Sequence, residues 1–438
     1  MSASPSDGAL YGGLLGDSEI AARLTDAAEI AAMIAVERAL ARAEGRVGVI
    51  PAEAAAALDA GLAATAVDPA TLAAGTAAAG VPVPALLAAL RAQLPEAAAR
   101  WLHFGATSQD VMDTGLVLRL LEILALLEAR RAALAQTLAA IAVAERDTPM
   151  AGRTRLRIAA PISYGLRAAQ WLQPLLDLGD RAAALRPRLA RAQLGGAVGT
   201  RSAFGDRGTA VAEAFAAELG LAPAPPWHAA RGAIAELGGW CADLCAALAK
   251  MAGDMGLMAR DETAELALPG GGSSTLPQKR NPIAAETVVA LARHAAALAG
   301  ALHQAGAHLE ERDGAAWTLE WLALPPLLVA TGAALRHAGM LAEAAAPDRA
   351  RMAGALDLNG GAALAETAAF ALAATRPLPE AQALVKAALA RAAAEGRPLA
   401  AILAEDAPEI DWSAALDPRA AAAPGRAAIA AILARARR

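Results

Sequence analysis

The stretch GLVLRLLEILALLEARRAALAQTLAAIAVAER, residues 115–146, decides the fold class of this protein. It contains no proline, and its only glycine is its first residue, so nothing inside it favours a break in a helix. Its large apolar residues recur every three or four positions, which is the spacing of one helix face: Leu116, Leu120, Ile123, Leu127, Leu134, Leu138 and Ile141. We predict one helix here, far longer than the globular mean of about 11–12 residues.

Similar stretches lie on both sides of this helix. Alternating runs of β-branched and aromatic residues, the pattern of strands, are almost absent, and alanine has the best helix propensity. We predict further helices at residues 18–45 (capped by Asp17 or Ser18), 163–194, 231–261, 282–309 and 317–345. Long helices with small residues on the apolar face suit a close-packed bundle. The predicted fold class is all-α, and changes in helix length divide the chain into 1–105, 106–346 and 347–438.

The composition excludes several kinds of partner. The 438 residues carry 39 Lys+Arg against 44 Asp+Glu, a net charge of −5, so the chain lacks the basic surface of nucleic-acid-binding proteins. No signal peptide is apparent, and the longest uncharged stretch, 69–90, is interrupted by glycines and prolines, unlike a membrane span. We expect a cytoplasmic protein without nucleic-acid or membrane partners. We expect Cys241 and Cys245 to be buried and to behave as apolar residues. The sequence contains no metal-binding pattern.

The first polar motif is HFGATSQDVMDT, residues 103–114. Thr107 and Asp110 have the spacing of a capping box, in which Asp110 reaches back to the backbone at the helix start. The same helix N-terminus offers free N–H groups that can bind an anion. Both interpretations stay open from the sequence alone.

The second and third motifs are rich in cations. MAGRTRLR, residues 150–157, places three arginines before a predicted helix start at Pro161; it is either a solvated loop or a clamp for carboxylates. PGGGSSTLPQKRNP, residues 269–282, combines a flexible triple glycine, suited to a mobile lid, with three hydroxyl side chains and two cations. Asn281 and Pro282 suit the N-cap and N1 positions of the next helix. The glycine-rich stretch 195–200 lacks the phosphate-loop lysine, so we expect close backbone approach there.

The third motif resembles the GSSxMPxKxNP signature of the fumarase/aspartase superfamily, with Leu276 in place of methionine. The first motif is similar to its Thr-Ser-x-Asp-x-x-x-Thr region and the second to its Gly-Arg-Thr-His-x-Gln region, with Arg155 and Arg157 replacing the histidine and the glutamine. The resemblance implies a small helical first domain, a central five-helix bundle and a helical third domain. It also implies a homotetramer with a twenty-helix core and active sites shared between subunits.

Within the superfamily the chain most resembles the 3-carboxy-cis,cis-muconate cycloisomerases. This likeness rests on the first motif, on PWHxxR at residues 226–231 and on ERDGAAW at 311–317. It implies lactonisation of a small polycarboxylate to 4-carboxymuconolactone in the protocatechuate (β-ketoadipate) pathway, without metal or redox cofactor. Adenylosuccinate lyase, or another fumarate-releasing lyase, is the alternative. A non-catalytic scaffold is disfavoured because Ser273, Lys279, Asn281 and Glu286 occur together.

The resemblance also implies a role for each site residue. Ser273 would be the general acid for ring closure, with Lys279 and Asn281 holding the carboxylate that becomes an enediolate. Glu286, which orients the histidine in relatives, would pair with Arg155. Arg155 would also hold a substrate carboxylate, and the other substrate-binding positions are His103, Thr107, Ser108, Thr154 and Arg312.

Overall fold

The computed structural model describes residues 4–272 and 274–437. Within these residues, five helices have 23 residues or more: Ser108–Ala144, Tyr164–Leu189, Gly232–Met258, Ile283–Ala305 and Gly314–Ala344. The prediction of an all-α fold with five long central helices is confirmed. The first of them begins seven positions before the predicted residue 115, because the capping segment at Thr107 already starts it.

Two compact units divide the described chain, and both boundaries of every segment fall within the long helices or at the chain ends. The first unit comprises residues 4–129, 178–245 and 291–334. Its shorter helices are Gly12–Leu15, Ser18–Ala21, Asp26–Val47, Ala52–Ala63, Ala73–Ala79, Val83–Arg91, Glu96–Ala99 and Gly208–Glu218, with 3-10 turns at Pro5–Asp7, Pro69–Leu72 and Ser202–Arg207. Leu40, Leu58, Leu86 and Phe215 lie in its core. The three-domain division at 105/106 and 346/347 stays a prediction.

The predicted single helix over residues 18–45 is wrong. Helix Ser18–Ala21 ends early, and Thr25 starts a second helix, Asp26–Val47, by accepting a hydrogen bond from the backbone N–H of Ala28 at 3.2 Å. Threonine competes for backbone donors in this way and therefore favours a cap over a helix interior. The predicted cap by Asp17 is confirmed, since its Oδ1 accepts from the N–H of Ile20 at 3.1 Å.

The second unit comprises residues 130–177, 246–272, 274–290 and 335–437. Its shorter helices are Arg349–Gly354, Leu358–Gly361, Ala365–Ala373, Leu378–Glu395, Leu399–Asp406, Trp412–Ala415, Pro418–Ala422 and Gly425–Ala436, with a 3-10 turn at Ala362–Leu364. Leu372, Val385, Ile402 and Trp412 form the centre of its larger core cluster. Two-residue strands pair Leu266–Ala267 with Ala346–Pro347 and Gly271–Gly272 with Arg280–Asn281.

A β-hairpin in the second unit was missed from the sequence. Strands Pro149–Thr154 and Arg157–Ser163 pair antiparallel, and Pro161 lies opposite Ala151 rather than at a helix start. The predicted helix start at Pro161 is therefore wrong, and the helix begins at Tyr164. Small residues give these strands little intrinsic preference, and the burial of Met150 and Ala151, both 0% exposed, decides the structure instead.

Two expectations about apolar segments have different outcomes. Cys241 and Cys245 are buried, as predicted. The uncharged stretch 69–90 folds as short helices, but three long helices are apolar and long enough to cross a membrane by length and composition alone: Gly232–Met258, Ile283–Ala305 and Gly314–Ala344. The absence of a membrane partner therefore stays a prediction.

Candidate active site

Asp110 connects the start of the longest helix to two loops of the first unit. This side chain is 1% exposed. Its Oδ2 accepts hydrogen bonds from the backbone N–H groups of Thr107 (3.0 Å) and Gly196 (2.9 Å). Its Oδ1 accepts from the N–H of Gly195 at 2.8 Å and lies 2.8 Å from Nε2 of His228. The bond to Thr107 confirms that Asp110 reaches back as a capping residue, and the other three show that it also holds the loops in place.

The glycine loop at 195–196 packs against the segment that carries His228. A Cβ added to Gly195 would lie 2.6 Å from Cε1 of His228 and 2.9 Å from Cβ of Pro226, and Gly196 has a φ of +71°. The predicted close backbone approach is confirmed. The sequence did not single out His228 as a site residue, although it lies in the quoted PWHxxR segment, and it is 4% exposed here.

His103 precedes this region and contacts a buried acid. Its Nδ1 lies 2.5 Å from Oε1 of Glu37, which is 1% exposed. Burial lowers the pKa of His103, but the charge of Glu37 and its hydrogen bond act in the opposite sense, and the net shift of this pKa is upward. His103 has a φ of +66°, a strained backbone for a non-glycine residue. Glu37, another residue that the sequence did not reveal, thus orients a predicted substrate-binding side chain.

A buried ionic triad joins three segments of the first unit. The Arg231 guanidinium donates to both oxygens of Asp113 (2.6 and 3.0 Å) and to Glu320 (Nε to Oε2, 2.9 Å), and its Cζ lies 4.9 Å from the ring centroid of Trp227. Burial raises the pKa of Asp113 against the opposing effect of Arg231. Because these three charged groups are each 2% exposed or less, they stabilise the frame of the site rather than contact solvent.

Arg312, predicted to bind substrate, contacts the glycine loop. Its Nη2 donates to the carbonyl oxygen of Gly196 at 2.9 Å and also bonds the carbonyl of Ala197. Next to it, Asp313 accepts from the backbone N–H groups of Ala316, Leu309 and Ala315, and these bonds lower its pKa. Arg312 and Thr107 are thus linked indirectly, because Asp110 accepts from the N–H groups of Thr107 and Gly196 and Arg312 bonds the carbonyl of Gly196.

The arginine motif forms the tip of the hairpin in the second unit. Arg155 and Leu156 make its two-residue turn, with φ values of +50° and +65°. Thr154, Arg155 and Arg157 are exposed, whereas Arg153 forms two hydrogen bonds with the fully buried Glu265. The hairpin thus separates the motif into one structural arginine and two arginines available for a ligand.

Part of the third motif forms a short two-stranded ribbon, and the expectation of a mobile lid stays a prediction. Gly271–Gly272 pair with Arg280–Asn281. A Cβ on Gly271 would lie 2.2 Å from Cδ1 of Ile283, so a side chain at this position would require the Ile283 side chain to move. The helix begins at Ile283, one position after the predicted first helical residue Pro282, because Asn281 is held in the ribbon. Ser273, predicted as the general acid, lies outside the described residues.

The remaining predicted site residues lie in two parts of the chain. Lys279 is exposed before the ribbon's second strand, Asn281 is half-buried in it, and Glu286 is exposed in the first turn of the following helix. Ser108 is the first residue of the longest helix. Among the described residues, no group of three or more His, Cys, Asp or Glu side chains could hold a metal ion.

A family model described as lyase matches residues 12–296. The chain belongs to this fumarase/aspartase-type lyase family. The 3-carboxy-cis,cis-muconate cycloisomerase of Pseudomonas aeruginosa is 40% identical over 391 residues, 87% of this chain and 85% of the relative. The crystal structure of the 3-carboxy-cis,cis-muconate lactonizing enzyme from Pseudomonas putida superposes with a TM-score of 0.91 at 35% identity, covering 98% of this lyase and 99% of that chain. Nitrosuccinate lyase of Streptomyces davaonensis is 37% identical, over 92% and 88% of the two chains.

Each unit contains groups that can bind anions. In the first unit these are the N-terminus of the longest helix and the imidazole of His103. In the second unit they are the guanidinium of Arg155, whose planar fork matches carboxylates, and the ammonium of Lys279.

Proposed function

We propose that this lyase closes 3-carboxy-cis,cis-muconate to 4-carboxymuconolactone, the activity for which its Pseudomonas relatives are named, in protocatechuate breakdown. One carboxylate oxygen adds to a conjugated double bond of the same molecule. A C–O bond forms, the π electrons move toward a conjugated carboxylate as an enediolate, and a proton from the enzyme then completes a new C–H bond. Solvent returns that proton to the enzyme.

The observation that carries the proposal is the place of Arg155 at the exposed tip of the hairpin. Arginine stays protonated at any working pH, so it binds a carboxylate but does not exchange protons. Elimination of an amine needs a base for the carbon acid and an acid for the leaving nitrogen. Lactonisation needs one proton donor and cations that stabilise developing negative charge. Arg155 can stabilise the negative charge that develops in lactonisation. It cannot act as the base or the acid that elimination of an amine needs.

We assign the roles of the site residues on the same basis. Ser273 donates the proton, and Lys279 and Asn281 hold the carboxylate that becomes the enediolate. Thr107 and Ser108, with the helix N-terminus, hold a second carboxylate.

Arg155 holds the third carboxylate, with Thr154 beside it, and Glu286 pairs with Arg155. Arg312 assists through the nitrogens that do not bond the glycine loop, and His103 contributes a further positive charge. Holding the reacting carboxylate against the double bond replaces a large part of the entropic barrier.

The active form is proposed to be a cytoplasmic homotetramer in which segments from more than one subunit complete each site. Three long helices support it, because their most apolar windows are only 44%, 39% and 67% buried within one chain. Leu257, Leu322 and Met340 on these helices are 42%, 69% and 43% exposed. Burying such side chains between subunits removes apolar surface from water.

Release of fumarate from nitrosuccinate is the second candidate. The specific observation in its favour is the 37% identity with nitrosuccinate lyase over 92% of this chain. Nitrite departs as a stable anion, so this elimination would also need no acid for the leaving group. It would still need a base to remove a proton, and because Arg155 does not supply one, deprotonated Ser273 would have to take that role.

A direct comparison of substrates tests the proposal. Purified protein is given 3-carboxy-cis,cis-muconate, nitrosuccinate and adenylosuccinate in separate assays. We expect loss of the diene absorbance with the muconate and little fumarate from the other two. Fumarate release at a higher kcat/KM than lactonisation would replace the proposed function with that of a fumarate-releasing lyase.

A further inference from the structure

Three ionisable side chains form a buried cluster in the first unit. Glu37 and Glu44 lie two turns apart on one face of helix Asp26–Val47, and each is 1% exposed. His103 completes the cluster, with its Nδ1 2.5 Å from Oε1 of Glu37. The other oxygen of Glu37 and one oxygen of Glu44 are buried without a hydrogen-bond partner among the described residues. This cluster is set beside the start of helix Ser108–Ala144, whose Asp110 acts on His103 electrostatically.

Burial limits the charge that the cluster can carry. Two ionised carboxylates and one imidazole would hold net negative charge away from water, which is costly. Burial, and to a smaller extent Glu37, raises the pKa of Glu44 to about 9, so Glu44 is neutral near pH 7. A neutral cluster then consists of protonated Glu44, ionised Glu37 and protonated His103. Nδ1 of His103 lies 2.5 Å from Oε1 of Glu37, and this hydrogen bond favours the charged ring.

We propose that Glu37 is a positioning residue that keeps His103 in the imidazolium form, with Nδ1–H bonded to Glu37 and Nε2–H directed to a carboxylate of the substrate. The ring fits this task because Glu37 fixes it at Nδ1 while its side chain stays 13% exposed. The strained backbone of His103, with a φ of +66°, fits a position maintained for function. The substrate half of this inference rests on the proposed function, whereas the protonation half does not.

The groups that face His103 act in opposite directions. Glu37 on helix Asp26–Val47 and Asp110 on helix Ser108–Ala144 favour the charged ring of His103. Arg91, the last residue of helix Val83–Arg91, disfavours it. Of these three groups, Glu37 acts on the imidazole through a hydrogen bond as well as through its charge, whereas Asp110 and Arg91 act through charge. Removing the charge of Glu37 should therefore change the titration of His103 more than any other single substitution in the cluster.

Histidine titration tests the protonation half without substrate. The full-length protein is labelled with 13C at Cε1 of histidine, and the signal of His103 is assigned by its loss in His103→Asn. In Glu37→Gln, which keeps the shape and removes the charge, we expect His103 to lose its proton at a clearly lower pH than in the wild type. Glu44→Gln is the matched control, because it replaces a carboxyl that is already neutral, and should titrate like the wild type. An unchanged His103 titration in Glu37→Gln would overturn the proposal.

Binding of a non-reacting tricarboxylate tests the substrate half independently of turnover. For tricarballylate we expect a Kd at least about tenfold weaker in Glu37→Gln than in the wild type, as loss of a charged hydrogen bond predicts, and the difference should grow as pH rises. With 3-carboxy-cis,cis-muconate, KM should rise by a similar factor while kcat changes less. Unchanged tricarballylate affinity would refute the substrate half, and absence of turnover in the wild type would refute the proposed function alone.

Discussion

Arg153 donates to both oxygens of Glu265, from Nη1 to Oε2 at 3.0 Å and from Nη2 to Oε1 at 2.8 Å. This bidentate pair connects the β-hairpin 149–163 to the segment that leads into the ribbon formed by Gly271–Gly272 and Arg280–Asn281. Glu265 is fully buried, and its backbone carbonyl also accepts from the N–H of Asp348. Of the three arginines in the motif, Arg153 thus fixes the hairpin next to its turn, whereas Arg155 lies exposed in the turn itself.

Breaking this pair should destabilise the protein. Arg153→Met leaves the Glu265 carboxylate buried and unpaired, and we expect a loss of about 3–5 kcal/mol in the free energy of unfolding, measured by urea denaturation. Arg157→Met, which changes an exposed arginine of the same hairpin, is the control and should have little effect on unfolding. The double variant Arg153→Met/Glu265→Met should recover part of the loss. Equal stability of Arg153→Met and wild type would contradict the role of the pair.

Ser273→Ala should remove the proton donor of the proposed reaction. We expect kcat to fall by about 10²–10³-fold or more, the cost typical of a lost group that acts in the transition state, with KM nearly unchanged. Ser274→Ala removes the neighbouring exposed hydroxyl and should keep most activity. Steady-state kinetics on 3-carboxy-cis,cis-muconate decide between the two serines, and near-normal turnover of Ser273→Ala would exclude Ser273 as the acid.

Gly195→Ala should damage the site through packing alone. The added methyl would lie 2.6 Å from Cε1 of His228 and 2.9 Å from Pro226, so the loop that bonds Asp110 must move. We expect about 1–3 kcal/mol of destabilisation, as overpacking usually costs, and a lower kcat/KM. In contrast, Gly232→Ala has open space around its new Cβ and begins a helix; it should be neutral or slightly stabilising. Thermal unfolding and kinetics of both variants would show whether the tight contact matters.

Local patterns in the sequence predict the long helices and the capping role of Asp110, because helical periodicity and cap chemistry act over a few residues. They do not reveal the hairpin at Arg155 or the pair of Glu37 with His103. The hairpin is made by burial of Met150 and Ala151, and Glu37 lies 66 positions before His103, so both depend on tertiary contacts. Before its burial is known, nothing in the sequence distinguishes Glu37 from the other acidic residues of its helix.

Because of Glu44, the free energy of unfolding should decrease as the pH rises. Its folded pKa of about 9 lies above the ordinary value of 4.5. The folded state therefore binds the extra proton, and stability present below pH 4.5 is lost as pH rises toward 9, by at most about 1.4 kcal/mol per pH unit. Glu44→Gln removes this penalty, so its free energy of unfolding should gain on the wild type between pH 6 and pH 8 in denaturation at equal protein concentration. Glu213→Gln, at an exposed position, should follow the wild type. Parallel pH dependence of all three proteins would show that Glu44 is not held neutral by burial.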